Sequence, residues 1–357
     1  MTNAAATAPR IRTAQASVYF LGDVYLPAPV TIAGEMPDAI IYNLEAPLTR
    51  STRGWPDTVN LRCETDHSVA TFGKPPLAVC LANNHIMDFG AEGLTETVER
   101  LDTAGVGYFG AGDGEDNCRN PLLLAIGGHR LALVGYVCPS AHPVFAIEGE
   151  RPGVAAIALD RIRTDVDDAR ARGATRVVVC LHWGIEEVEL PRPEDVRLAR
   201  AVAEMGVDLV IGHHAHCIQP FEVHAGVPIF YGLGNAIFPD VDAWANYDAE
   251  GRPGEPYRKL QNYWNKPSLA VAYDLETGAV RVDRWRCDGA TLRLVRRDVD
   301  SPRLAFGAPA EYEARFRKHH FHAVWRKKLV NYVRSPRLPR LRHVRSLLGI
   351  LREARES

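Results

Sequence analysis

A chain of 357 residues with 46% hydrophobic and 24% charged residues carries enough apolar material for a full core, in one large domain with decorations or two ordinary ones. A formal net charge of -2 argues against the wholesale nucleic-acid binding for which a basic face is needed, so no nucleic-acid partner is expected. Seven cysteines without a Cys-x-x-Cys spacing argue against a disulfide framework, and no apolar run has signal-peptide or membrane-spanning length, so the expectation is a cytoplasmic protein without a membrane anchor.

Residues 1–16 have small side chains and two arginines but no apolar centre, and read as a disordered N-terminus ahead of a main domain over 17–300. Ser17 to Leu21 is a β-rich run that breaks at Gly22-Asp23, so a first strand presents Asp23 at its C-terminal end. Asp38-Ala-Ile-Ile-Tyr-Asn-Leu-Glu45 repeats the design, apolar run first and carboxylate last. Pro76 to His85 does so again, ending in Asn83, Asn84 and His85. These runs lack polar alternation, as expected of central strands covered on both faces.

Leu94, Val98 and Leu101 share one face of a helix stopped by Gly105. The Gly110-x-Gly112-x-Gly114 stretch has no helix pattern close behind it, so tight turns explain its glycines better than phosphate binding does. Leu122 to Ile126 and Arg130 to Val137 form a hairpin signal around Gly127-Gly128. Leu159, Ile162, Val166 and Ala169 mark a second amphipathic helix.

The densest stretch follows. Val177 to Leu181 runs into His182; a helix opened by Pro193 and Glu194 then leads to Leu209 to Ile211, which runs into Gly212, His213, His214 and His216. Strand, helix, strand is a crossover unit of a mostly parallel sheet, and α/β proteins keep their sites at such strand ends. A lone strand-end histidine is more often a hydrogen-bonded structural residue than a ligand. Three of them, two spaced His-x-His, favour a transition metal without choosing one.

Phe221 to Val223 and Val227 to Tyr231 flank an Ala-Gly turn, and the second run ends at Gly234-Asn235. From Pro239 to Pro267 the pattern dissolves into a polar loop, read as an insertion over 240–267, whose aromatics Trp244, Tyr247, Tyr257, Tyr263 and Trp264 either line a substrate mouth or pin the loop. Ser268 to Tyr273 and Ala279 to Arg286 read as a closing hairpin, with a further strand near Leu292 to Val295. The final span, 301–357, reads as a basic helical extension. Phe316, Phe321, Val324, Trp325, Leu329 and Tyr332, interleaved with basic residues, predict a packed amphipathic helix with one solvated face. The arginine-rich end, Arg334 to Arg355, is expected to be partly mobile.

Collected, the strand-end groups are Asp23, Glu45, Asn84, His85, His182, His214 and His216. Carboxylates, an amide oxygen and imidazoles at one sheet edge are what one or two divalent cations require. Softer candidates are Glu186, as support for a ligand, His213 as a substrate-binding group, Asn235 at the site edge, and Arg62 as the partner of an anionic substrate. Each of these reads equally well as an ordinary hydrogen-bonded residue. Trp183 is expected to pack under His182.

The series Gly22-Asp23, Asn43-Leu44-Glu45, Ala82-Asn-Asn-His85, His182-Trp-Gly184, Gly212-His-His-Ala-His216 and Leu233-Gly-Asn235 resembles, in order and over roughly residues 17 to 275, the CapA family. That family is named for poly-γ-glutamate capsule synthesis and belongs to the metallophosphatase (calcineurin-like phosphoesterase) superfamily. The resemblance implies an α/β protein, a metallophosphatase-like α/β/β/α sandwich with a C-terminal helical extension. It also implies that Asp23, Glu45, Asn84, His182, His214 and His216 hold one or two divalent transition-metal ions (Mn, Zn or Fe), with Glu45 bridging and His85 giving a proton to the leaving group. The reaction it implies is phosphoester hydrolysis by metal-bound hydroxide on a small metabolite or biosynthetic intermediate.

Two departures from the broad phosphoesterase pattern stand out. Asp23-Val24-Tyr25 replaces the common Asp-x-His, removing an imidazole, and Glu45 is longer by a methylene than the usual bridging aspartate. Two other readings follow: γ-glutamyl or amide chemistry in capsule-type biosynthesis, and a non-catalytic binding module with a degenerate metal site. A small-molecule or polymeric anionic substrate is expected throughout.

Overall fold

The computed structural model describes residues 10–11, 16–56, 58–63, 74–112, 118–119, 121–141, 153–300, 303–304 and 308–334. Along the chain, β1 (Ser17–Val24), β2 (Ile40–Leu44), β3 (Ala78–Cys80), α1 (Gly90–Thr103) and β4 (Gly107–Phe109) build one half. Next come β5 (Leu122–Ile126), β6 (His129–Val137), α2 (Leu159–Ala171), β7 (Arg176–His182), α3 (Pro193–Ala203), β8 (Leu209–His213), β9 (Phe221–His224) and β10 (Val227–Phe230). The chain then returns through β11 (Asn235–Ile237), β12 (Val241–Ala245), β13 (Glu255–Lys259), β14 (Pro267–Asp274), β15 (Val280–Asp288) and β16 (Thr291–Arg296) to the terminal helix α4 (Pro309–Arg334).

Two large sheets result. One orders Arg10–Ile11, β5, β6, β7, β8, β10 and β9; the other orders Thr31–Ala33, β16, β15, β14, β1, β2, β3 and β4, with β11 on β1. The β6-β7-β8-β10 and β1-β2-β3-β4 runs are parallel, as the crossover pattern requires. Successive side chains of a strand point to opposite faces, and β7 divides its residues accordingly. Val178 and Cys180 join the core between the sheets, with Phe20, Ile41 and Val79 of the other sheet. Val177, Val179 and Leu181 join the core under the helices, with Ile162 and Val166 of α2, Val196 and Val202 of α3, and Tyr312 of α4. Each such fully buried side chain contributes about 1.5–3 kcal/mol.

The same alternation decides where the site forms. His182 continues the inter-sheet series, whereas Trp183 turns to the helical side, where its Nε1 donates to the Tyr231 carbonyl (2.9 Å) and its ring stacks on Tyr231. Trp183 therefore does not lie under His182, because adjacent residues of an extended chain face opposite ways.

Several expectations are corrected. Arg10–Ile11, placed in a disordered N-terminus, pairs in parallel with Ala125–Ile126. The strand expected to break at Gly22-Asp23 continues to Val24 across a register shift between Phe20 and Asp23. Gly22 is required there for close approach: a Cβ at this position would lie 1.7 Å from the Gly234 carbonyl oxygen. The supposed loop 240–267 holds β12 and β13, which pair antiparallel with each other and, through β12, with Val59–Asn60. Their side chains are mostly exposed or half-buried, so no apolar run betrays them in the sequence.

Helix α4 is the last correction. Only Tyr312 and Ala323 are buried on it, while Leu329 and Tyr332 are exposed, so it is not an amphipathic helix seated on an apolar face. Polar contacts hold it instead: Tyr312 Oη donates to the Pro191 carbonyl (2.7 Å), and Arg326 and Lys327 meet Glu189 and Glu187 at 2.6 and 2.9 Å. Most of the arginine-rich end beyond Arg334 lies outside the described residues. No helix among the described residues is long and apolar enough to cross a membrane.

Candidate metal centre

Glu45, immediately after β2, is fully buried and stands at the middle of the converging strand ends. Its Oε1 lies 3.3 Å from His216 Nε2 and 3.8 Å from His182 Nε2. Two sets of donors share it: Glu45 with His182 and His214, and Glu45 with Asp23 and His216, each set having its donor atoms within 4.8 Å of one another. Asn84 joins from the loop after β3, its Oδ1 2.7 Å from His182 Nε2. All six expected ligands thus meet in one buried place.

Asp23 is held from several directions. Its Oδ1 accepts from Asn43 Nδ2 (2.9 Å) and lies 3.1 Å from His213 Nδ1; its Oδ2 accepts from the His214 backbone N–H (3.2 Å) and lies 3.4 Å from His216 Nδ1. His213, expected at the substrate, is instead buried against Asp23. Asn235, drawn into register with Asp23 by the β11–β1 pairing, sets its Oδ1 2.8 Å from His216 Nδ1. Asn83 ties the asparagine-rich loop to β2, donating to Asn43 Oδ1 (3.0 Å) and to the Leu44 carbonyl (2.8 Å) while accepting from the backbone of His85 and Ile86.

The two histidines after β8 depend on unusual backbone. His214 and His216 have φ of 84° and 52°, conformations that cost a non-glycine residue roughly 1–3 kcal/mol each and persist only where surroundings over-determine them. Gly212 makes the approach possible, since a Cβ there would fall 2.0 Å from the Tyr231 carbonyl oxygen.

The electrostatics of this cluster are unbalanced. Glu45 Oε1, His182 Nδ1 and His214 Nδ1 are buried and have no hydrogen-bond partner among the described residues. Burial and the neighbouring Asp23 charge push the Glu45 carboxyl well above its usual range. Burial opposes the Asp23 charge as well, but hydrogen bonds from His213 and His216 prevail and hold that carboxyl well below its usual range. Burial, with His214 beside it, keeps His182 neutral far below the ordinary imidazole range, and burial lowers His214 to about 4. Neutral imidazoles, an amide oxygen and two carboxylates, one of them with an orphaned acceptor at Glu45 Oε1, are the donor chemistry that a divalent cation fits.

One side of the cluster opens to solvent. His85 follows Asn84, is 16% exposed, and has its Nδ1 2.7 Å from Asp88 Oδ2, which also accepts from the Leu61 backbone N–H (2.6 Å). Burial works against a charged His85, yet Asp88 outweighs it and raises the imidazole above its ordinary value. The Arg62 guanidinium lies 5.4 Å over the Phe89 ring and donates to the Ser51 carbonyl. Glu186 meets Lys259 Nζ at 2.9 Å, and that ammonium, against the effect of burial, holds its carboxyl well below its usual range. Asn43, Asn83, Asp88, Glu187 and Lys259 escape the sequence reading. Asn43 and Asn83 stand inside the quoted motifs; alternation along β2 would have flagged Asn43, two residues before Glu45, whereas Asn83 lies in the loop after β3, where no periodicity marks it.

Comparison with known proteins gives the family. The family model described as bacterial capsule synthesis protein PGA_cap matches residues 22–240, more than half of the chain. A probable polyglutamine synthesis accessory protein of Mycobacterium tuberculosis is 34% identical over 211 residues, 56% of this chain and 55% of that protein. The capsule biosynthesis protein CapA of Bacillus anthracis is 34% identical over 161 residues, covering 44% of this chain and 39% of its own length. The chain thus spans about half the length, or less, of the curated relatives it matches. Among solved structures, a hypothetical protein from Thermus thermophilus overlays 76% of this chain and all of its own at a TM-score of 0.44 and 14% identity. The calcineurin-like phosphoesterase YfkN of Bacillus subtilis overlays 90% of this chain and all of its own at a TM-score of 0.38 and 14% identity. With the family model covering the strand-end motifs from Gly22 to Asn235, the chain belongs to the bacterial capsule synthesis protein (PGA_cap) family.

Proposed function

We propose that this protein is a metal-dependent hydrolase that cleaves a phosphoester of a small metabolite or biosynthetic intermediate, holding one or two divalent transition-metal ions through Asp23, Glu45, Asn84, His182, His214 and His216. The observation that carries this reading is the sharing of Glu45 between two donor sets, which is the arrangement a bridging carboxylate needs. Bound cations supply Lewis acidity and bring water towards a pKa of ~7. The protein's own groups do the rest. Asn43 and His213 fix Asp23, and Asn235 fixes His216, so that the donors need little rearrangement. Asp88 binds His85 Nδ1, which leaves Nε2 as the nitrogen able to hand a proton to the leaving oxygen.

Metal content measured on protein purified without added metal, together with orthophosphate release from a panel of phosphorylated compounds, tests the reading. Bound manganese, zinc or iron with phosphate release is the expected result. No bound cation and no release after adding Mn, Zn, Fe or Co sinks it.

A second reading is favoured by the relatives, which are named for PGA and capsule biosynthesis. The same centre would then act on a γ-glutamyl or related amide, with His85 protonating a leaving amine. New amine without orthophosphate would select it.

A further inference from the structure

We infer that Glu187, clamped by the terminal helix α4, is a positioning residue for the His214-Ala215-His216 turn, so that α4 sets the metal affinity of the centre; this rests on the metal reading above. Glu187 is buried and adopts φ of 65°, making it the third non-glycine residue with left-handed backbone in this corner beside His214 and His216. Its backbone N–H donates to the carbonyl of Ala215, the residue between the two histidines, at 2.8 Å. Its carbonyl accepts from Arg326 Nη2 of α4 at 3.4 Å.

The side chain is gripped as firmly as the backbone. Oε2 accepts from Asn262 Nδ2 (3.0 Å) and Trp264 Nε1 (2.9 Å), while Oε1 lies 2.9 Å from Lys327 Nζ and 3.5 Å from Lys259 Nζ. Helix α4 secures the same segment twice more: the Arg326 guanidinium lies 4.0 Å over the Trp264 ring, and Arg334 donates to Asn262 Oδ1 at 2.9 Å. Asn265 completes the connection by donating to the His216 carbonyl at 3.0 Å. A strained turn keeps its shape only through such contacts, and the buried carboxylate that joins them is neutralised in part from α4. Removing the Lys327 ammonium leaves Glu187 under-compensated, and the turn relaxes away from the geometry that places both imidazoles.

The test is manganese titration of the full chain, with folding followed by circular dichroism. Lys327→Met is compared with Lys327→Arg and with Lys318→Met, an exposed position on the same helix. Lys327→Met is expected to bind manganese about 10- to 100-fold more weakly, the effect typical of residues that orient metal ligands. Lys327→Arg restores the affinity and Lys318→Met leaves it unchanged. A folded Lys327→Met that binds manganese as tightly as wild type overturns the inference while the centre stands, even if its thermal stability falls. A wild type that binds no manganese, zinc, iron or cobalt overturns the centre itself and this inference with it. If Lys327→Met does not fold, Arg326→Met is read by the same criteria.

Discussion

Two ionic clusters sit on either side of the segment after β7, and they differ in how their charge is answered. Around Glu45 and Asp23 the carboxylates crowd one another, burial keeps the nearby His182 and His214 neutral, and Glu45 Oε1 goes unmatched. Around Glu186, Glu187 and Glu189, each acid meets a cation: Lys259, Lys327 and Arg326 respectively, at 2.9, 2.9 and 2.6 Å. A cluster whose acids are satisfied by cations, even though Glu187 Oε1 and Arg326 Nε make no hydrogen bond among the described residues, belongs to the architecture, and one left short of positive charge is where a cation is wanted. Burial alone does not distinguish them, because Glu45 and Glu187 are both inaccessible to solvent.

That contrast can be broken or sharpened by experiment. The largest effect is expected at its centre: Asp23→Asn or Glu45→Gln should abolish retention of metal and with it activity, read as metal content per chain after gel filtration. Retention of a full complement by Glu45→Gln would remove the bridging role. Next, His85→Asn should leave metal content intact but lower the rate by about 10²–10⁴-fold, the usual worth of a general acid. Stripping the metal should then lower stability in a ligand-concentration-dependent way. Readdition at 100 times the dissociation constant should return about 2.7 kcal/mol, seen as a rise in urea midpoint. No rise would mean that the centre holds no cation.

The smallest effect belongs to the satisfied cluster. Burial favours protonation of Glu189, but hydrogen bonds from His319 and Arg326 lower its pKa from 4.5 to about 2. Because the folded value is depressed, its stabilising contribution is complete above about 4.5 and disappears as pH falls towards about 2. Wild type should therefore lose its stability advantage over Glu189→Gln across that interval, and a difference that persists at the acid end would contradict the pairing.

The sequence made the centre legible because each donor follows an apolar run. β1, β2, β7 and β8 read as buried strands, and the residue at which each run stops is a ligand candidate. Alternation along β7 would also have separated His182 from Trp183, which places the tryptophan among the helices rather than under the imidazole. What stayed hidden has a different physical basis. β12 and β13 form a short ribbon of mostly exposed or half-buried side chains, where the hydrogen-bond ladder rather than side-chain burial defines the strand. Lys259 acts through Glu186, 73 positions away, and Asp88, though only three residues past His85, lies in a turn; periodicity carries no such information. The terminal helix misled for the opposite reason: its aromatics suggested an apolar seat, whereas its arginine and lysine heads make the contacts that dock it.

Asp23 reaches His213, 190 positions further on, and shares its register with Asn235. A nascent chain therefore completes the surroundings of Asp23 and His216 only once residue 235 has left the ribosome and its strand has docked on the N-terminal one. Such remote pairings are slow to form, so the final shape of the donor cluster is tied to a late stage of maturation. Fragments ending before β11 would lack the Asn235 contact that orients His216.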